Sequence, residues 1–207
     1  NPDQKGIAYT TIHGVPHQHI DEVIAFFKPY VKARNERNRK MIDRINALTA
    51  PYGIHTDFDT DVVPLSEFKH GGSITERHLL FALSKKITAR FGKGEAVVKF
   101  LTEDMGIQIS GKNKSFLSDA GNPFYDLLGT LKGNLVEKFY IDAETECPDV
   151  SALIALAAKI NAFSAYAYLG DVGDSVTGDK KTQKFEDDYI DLLFDVIKEL
   201  KFKAVTY

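Results

Sequence analysis

The chain has 207 residues, 43% of them hydrophobic, which is enough to bury a substantial core and suggests one domain, or one domain carrying an insertion. Its formal charge of -3 gives no general field for a polyanion, so charge does not point to nucleic acid. A single cysteine, Cys147, rules out an internal disulfide and fits a cytoplasmic setting, and neither a signal peptide nor an apolar run of membrane-spanning length is present.

In chain order, the β-branched run from Ile7 to Val15 predicts a strand, closed by Gly14-Val15-Pro16. Ile20, Val23, Ile24, Phe27 and Val31 follow at helical spacing, and Pro29 either starts or kinks a second helix that reaches about Leu48. The centre of that helix, from Arg34 to Lys40, is strongly basic, and Pro51-Tyr52-Gly53 ends it. A turn and a short helix are expected over 57–70. Asp57-x-Asp59-x-Asp61 imitates the start of a calcium loop but lacks its glycine and closing glutamate, so it reads as turn and cap chemistry.

Ser73 with Glu76, or Thr75 alone, predicts the start of a helix near Thr75. Beyond it come a helical stretch over 94–105, a polar loop over 110–122, a short helix over 123–131 and a strand over 135–141. The remainder alternates: helix 149–160, strand 162–168, a Gly/Asp-rich loop over 169–179, helix 184–200 and strand 203–207. That rhythm implies an α/β fold with parallel βαβ units, whose ligand sites form at the carboxyl ends of the strands.

Two clusters carry chemistry. Arg77 and His78 open a helix whose free N–H groups and positive dipole end favour a phosphate or carboxylate. The plainer alternative is that Leu79, Leu80, Ala82 and Leu83 face the core while Arg77 and His78 are solvated polar residues. His13, His17 and His19, with Asp21, lie just past the first strand, where neutral imidazoles suit divalent metals; His13, at the strand end, is the preferred ligand. The alternative is that His17 and His19 are exposed loop residues. Asp171, with Asp174 and Asp179, is a weaker metal candidate, since Asp/Gly loops are most often turns.

The run Gly72-Ser73-Ile74-Thr75-Glu76-Arg77-His78-Leu79-Leu80 resembles the Gly-Arg-Pro-His-Ile-Ala-Arg-Ala-Leu signature of the polymerase-and-histidinol-phosphatase (PHP) family of metal-dependent phosphoesterases. Arg34-x-x-Arg37-x-x-x-Met41-Ile42-x-x-Ile45 resembles the Arg-rich helix that precedes it. Ala167-Tyr168-Leu169-Gly170-Asp171 falls where the family has Ala-His-Pro-Gly, and Leu200 to Tyr207 where it has a closing strand. The family's Asp-x-His-x-His and Asp-x-His motifs are missing from those places, and Tyr168 replaces a ligating His.

The resemblance implies a partial distorted (βα)7 barrel with a helical insertion: barrel segments over 1–25 and 133–207 and a cap over 26–132. It further implies an internal or C-terminal-side fragment of a phosphoesterase that hydrolyses small phosphate esters, nucleotides among them, with divalent Mn, Fe, Zn or Mg. Arg34, Arg37, Arg77 and His78 would hold the phosphate. The fragment alone is expected to be inactive, and unpaired sheet edges would favour self-association. The alternative is a catalytically degenerate anion-binding or regulatory module.

Overall fold

The computed structural model describes residues 7–118, 121, 123–168 and 185–206. They fall into two compact units. A helical unit holds residues 34–118, 121 and 123–141, and a mixed unit holds 7–33, 142–168 and 185–206.

The mixed unit is built on a three-stranded sheet in the order β1 (Thr10–His13), β2 (Phe163–Ala167), β3 (Ala204–Thr206). β1 runs antiparallel to β2, with Thr10 opposite Tyr166 and His13 opposite Phe163. β2 and β3 are parallel, with Ala165 opposite Ala204. The unit also contains the first part of α1 (Ile20–Thr49), then α6 (Val150–Lys159), α7 (Phe185–Asp188) and α8 (Ile190–Glu199). Asp149 starts α6 by accepting the Ser151 and Ala152 amides at 2.8 and 3.3 Å. One face of α6 then buries Leu156, Ala157 and Ile160 against Ile12, Val15, Val23 and Phe26.

The helical unit comprises the remainder of α1, then α2 (Glu76–Phe91), α3 (Glu95–Lys99), α4 (Gly111–Ser118) and α5 (Pro123–Phe139). α1 continues through Pro29 as one helix, and its Met41, Ile42 and Ile45 meet Leu79, Leu80, Leu83 and Ile87 of α2 in the core. Asn46 fastens the loop after α1 by a two-way bond: the Thr56 amide donates to its Oδ1 at 2.8 Å, and its Nδ2 donates to the Thr56 carbonyl at 2.9 Å. Over 57–70 the chain makes three short helical segments, Phe58–Val62, Val63–Leu65 and Phe68–His70; Asp57 caps the first, accepting the Thr60 amide at 2.8 Å.

These elements correct the expected barrel. A (βα) barrel needs strands that are all parallel, each followed by a helix. Here β1 is antiparallel to its neighbour, the sheet has three strands, and helix predominates among the described residues. Among the described residues the parallel β2–β3 pair, with α7 and α8 between its strands in sequence, is the one βαβ connection.

Two further expectations fail in the helical unit. Residues 135–141 are not a strand, because Leu127, Leu131, Leu135 and Phe139 are all buried at four-residue spacing, the period of one long helix. The apolar stripe carries the helix through the glycines at 129 and 133. The expected polar loop over 110–122 contains α4, where the Ser110 carbonyl accepts the Lys114 amide at 2.8 Å and Leu117 anchors the turn in the core.

Candidate functional site

The Arg-His segment begins α2 with a capping box. Thr75 is the N-cap, and its amide donates to His78 Nδ1 at 3.1 Å. The partner three residues on is thus His78, not the Glu76 that pairs with Ser73 by spacing. Since Nδ1 accepts, the neutral ring carries its proton on Nε2 and offers a donor there. His78 is half-buried and Arg77 is exposed.

Arg77 makes no hydrogen bond or ion pair with any described residue. A cation in the first turn opposes the positive end of the helix dipole. An anion at this turn would relieve both charges at once.

α1 supplies the other wall. Arg34 Nη1 donates to Ser73 Oγ at 3.4 Å, so the guanidinium reaches the loop that enters α2. One turn later Asn38, 1% exposed, donates from Nδ2 to the Ile74 carbonyl at 3.0 Å. Asn38 fixes the loop's position against α1. Its sequence signal was a buried-face polar residue four positions after Arg34, among Met41, Ile42 and Ile45, and it escaped the reading of basic residues alone.

Arg37 lies elsewhere in the same unit. Its Nη1 donates to the Ile141 carbonyl at 2.5 Å and its Cζ sits 5.3 Å from the Tyr140 ring. With Arg44, which donates to the Tyr140 carbonyl at 2.8 Å, it holds the carbonyls that follow α5, where cations are favoured. The structure therefore groups Arg34, Ser73, Thr75, Arg77 and His78 at one helix start and employs Arg37 at another helix end.

The histidine cluster behaves differently. His13 is exposed at the end of β1, with Nε2 2.7 Å from Thr11 Oγ1. His17 is exposed and His19 Nδ1 lies 3.3 Å from Glu22 Oε2, both in a single turn before α1. No three His, Cys, Asp or Glu side chains converge as metal ligands among the described residues, so His13, His17 and His19 do not fit a metal as one ligand set. Asp171 lies outside the described residues. Tyr168, where the family has a ligating His, bonds through its hydroxyl to Asp187, and the neighbouring Tyr166 donates to Glu186 at 2.5 Å. Burial first, then the Glu186 carboxylate, pushes the Tyr166 phenol above the usual tyrosine range.

Among the described residues no helix is long and apolar enough to cross a membrane. Comparison with protein families, curated proteins and solved structures finds no match.

Proposed function

We propose that this chain binds the phosphate of a small phosphorylated molecule at the start of α2, as the anion-holding part of a PHP-like, cytoplasmic phosphoesterase. The observation that carries this reading is Arg77: a cation without a partner among the described residues, in the first turn of the 16-residue helix whose entering loop Arg34 reaches from α1. Arg34 and Arg77 would grip phosphate oxygens by charge-assisted bonds, with the α2 amides and His78 Nε2–H adding neutral donors. Such a grip needs no metal ion.

Hydrolysis in that family depends on divalent metals, and the ligand set expected at His13, His17 and His19 is not assembled. The chain by itself is therefore read as a binding module without turnover. A second copy would associate through the mixed unit, where Leu192, Phe194 and Val196 of α8 are 61%, 47% and 41% exposed.

Calorimetric titration with inorganic phosphate, alongside a phosphomonoester turnover assay with Mn²⁺, tests this. Saturable phosphate binding without turnover is expected. Arg77→Ala removes a charge-assisted contact of about 1.5 to 3 kcal/mol, roughly ten-fold or more in affinity. Unchanged affinity in Arg77→Ala would make that residue an ordinary surface arginine, and robust Mn²⁺-dependent release of phosphate would assign catalysis to the chain.

A further inference from the structure

We propose that the helical unit holds a second small-anion site, in the cleft between the turn at Gly53 and the last turns of α2, where Arg90, Lys86 and His55 would receive a phosphate-type dianion. It is distinct from the start of α2. Arg77 and Arg90 are separated by about 20 Å of helix at a rise of about 1.5 Å per residue. The cleft is shallow and open to solvent, with a volume of about 560 Å³, room for a phosphate carrying a small organic group.

Arg90 is the centre of the argument. Its Cζ lies 5.6 Å from the Phe91 ring centroid, and it makes no hydrogen bond or ion pair with a described residue. The Arg90 side chain is exposed, and its fork of N–H donors has no hydrogen-bond partner among the described residues. Gly53 makes the room: a Cβ there would meet Arg90 Nη2 at 3.2 Å and Cζ at 3.4 Å, and its φ of +65° already disfavours a side chain.

Lys86 stands four residues earlier on the same face of α2, so two like charges are neighbours, an arrangement that weakens a helix unless something compensates it. Asp61 takes one contact from Lys86 Nζ at 2.8 Å, leaving donors of the ammonium over. His55, exposed next to the buried Ile54, also lines the cleft. Near the helix C-terminus the dipole favours the Arg90 cation and opposes an anion, so Arg90 and Lys86 must outweigh it to hold phosphate. Only a binding site, however, distinguishes a guanidinium from an ammonium and a tetrahedral dianion from a planar monoanion.

The full chain labelled with ¹⁵N, titrated with inorganic phosphate and separately with acetate, gives the test. Expected are saturable shifts at the Gly53, Ile54 and His55 amides and at Arg90 Nε, with phosphate binding at least ten-fold more tightly than acetate. Arg90→Ala should lower phosphate affinity at these resonances by about ten-fold, and Arg90→Lys should restore only part of it. Arg90→Gln, which keeps the first methylenes of the stem and removes the charge, serves the same purpose if the alanine variant does not fold. The proposal is overturned by a loss of less than three-fold, by equal affinity for acetate, or by the absence of saturable shifts. The two sites are read separately: Arg77→Ala should leave the Gly53–His55 shifts intact, and failure at Ser73–His78 alone overturns only the reading of the α2 start.

Discussion

The two units differ in how completely they close over their own apolar residues. In the helical unit, Met41, Ile45, Leu79, Leu83, Phe100, Leu127, Leu131 and Phe139 belong to one continuous core, each at most 2% exposed. Among the described residues the mixed unit gathers Leu156, Ala157, Ile160 and Ala162 into its buried cluster, while Ile24, Phe163 and Leu192 are 60%, 58% and 61% exposed. Helices with a broad apolar stripe can satisfy one another locally. A three-stranded sheet has two edges and two faces, and a few helices cover them incompletely. Independent stability is therefore expected of the helical unit, and dependence on further contacts of the mixed one.

The sharpest way to break this contrast is to remove one large side chain from each. Phe139→Ala should cost about 3 to 5 kcal/mol, since a fully buried ring leaves a cavity. Leu192→Ala should change stability by less than about 0.5 kcal/mol. Urea denaturation of both variants at neutral pH decides; a comparable loss in the two would mean that α8 is as well packed as α5.

Alkaline titration sharpens the comparison from the side of the mixed unit. An unfolded tyrosine ionises near pH 10, while Tyr166, raised by burial and Glu186, stays protonated to higher pH. Its stabilising contribution is therefore complete below about pH 10 and declines as the pH rises through the folded value. Circular dichroism melts from pH 9 to 11.5 should show a falling midpoint that is flatter in Tyr166→Phe; identical slopes would remove Tyr166 from the account.

Acid acts on the helical unit, with the smallest expected effect. The Thr60 backbone and hydroxyl bonds hold Asp57 below the usual carboxylate range, and the Arg39 fork at 2.6 Å does the same for Asp59. For Asp61, desolvation works upward, but the Asp57 amide and Lys86 outweigh it. All three pKa values are depressed, so their contribution is present above about pH 4 and lost as pH falls through the folded values. Asp59→Asn should give a shallower loss of stability between pH 5 and pH 2.5 than the parent chain, measured by thermal melts; an unchanged acid limb would show that the exposed pair carries no weight.

Local sequence determined a good deal of this protein. The capping signal before Glu76, the Asp149 cap, the helical spacing from Ile20 onward, the β-branched run at β1 and the Tyr/Ala alternation at β2 are short-range patterns, and each marks the element that forms. The turn chemistry of Asp57 was equally legible, because a carboxylate cap acts within three residues.

What local pattern left open was settled by partners distant in the chain. Residues 135–141 are as apolar as a strand, and only the shared burial of Leu127, Leu131, Leu135 and Phe139 in one core selects helix. The antiparallel register of β1 on β2 joins segments some 150 residues apart, and strand direction leaves no mark in composition. The same holds at the candidate sites. Spacing grouped Arg34 with Arg37, but one reaches Ser73 and the other the Ile141 carbonyl, across 39 and 104 residues. Arg90 lies over Gly53 through a fold that neither segment encodes alone. Helix periodicity and caps are local properties of the chain, whereas strand direction, charge pairing and the contents of a cleft depend on which distant surfaces bury one another.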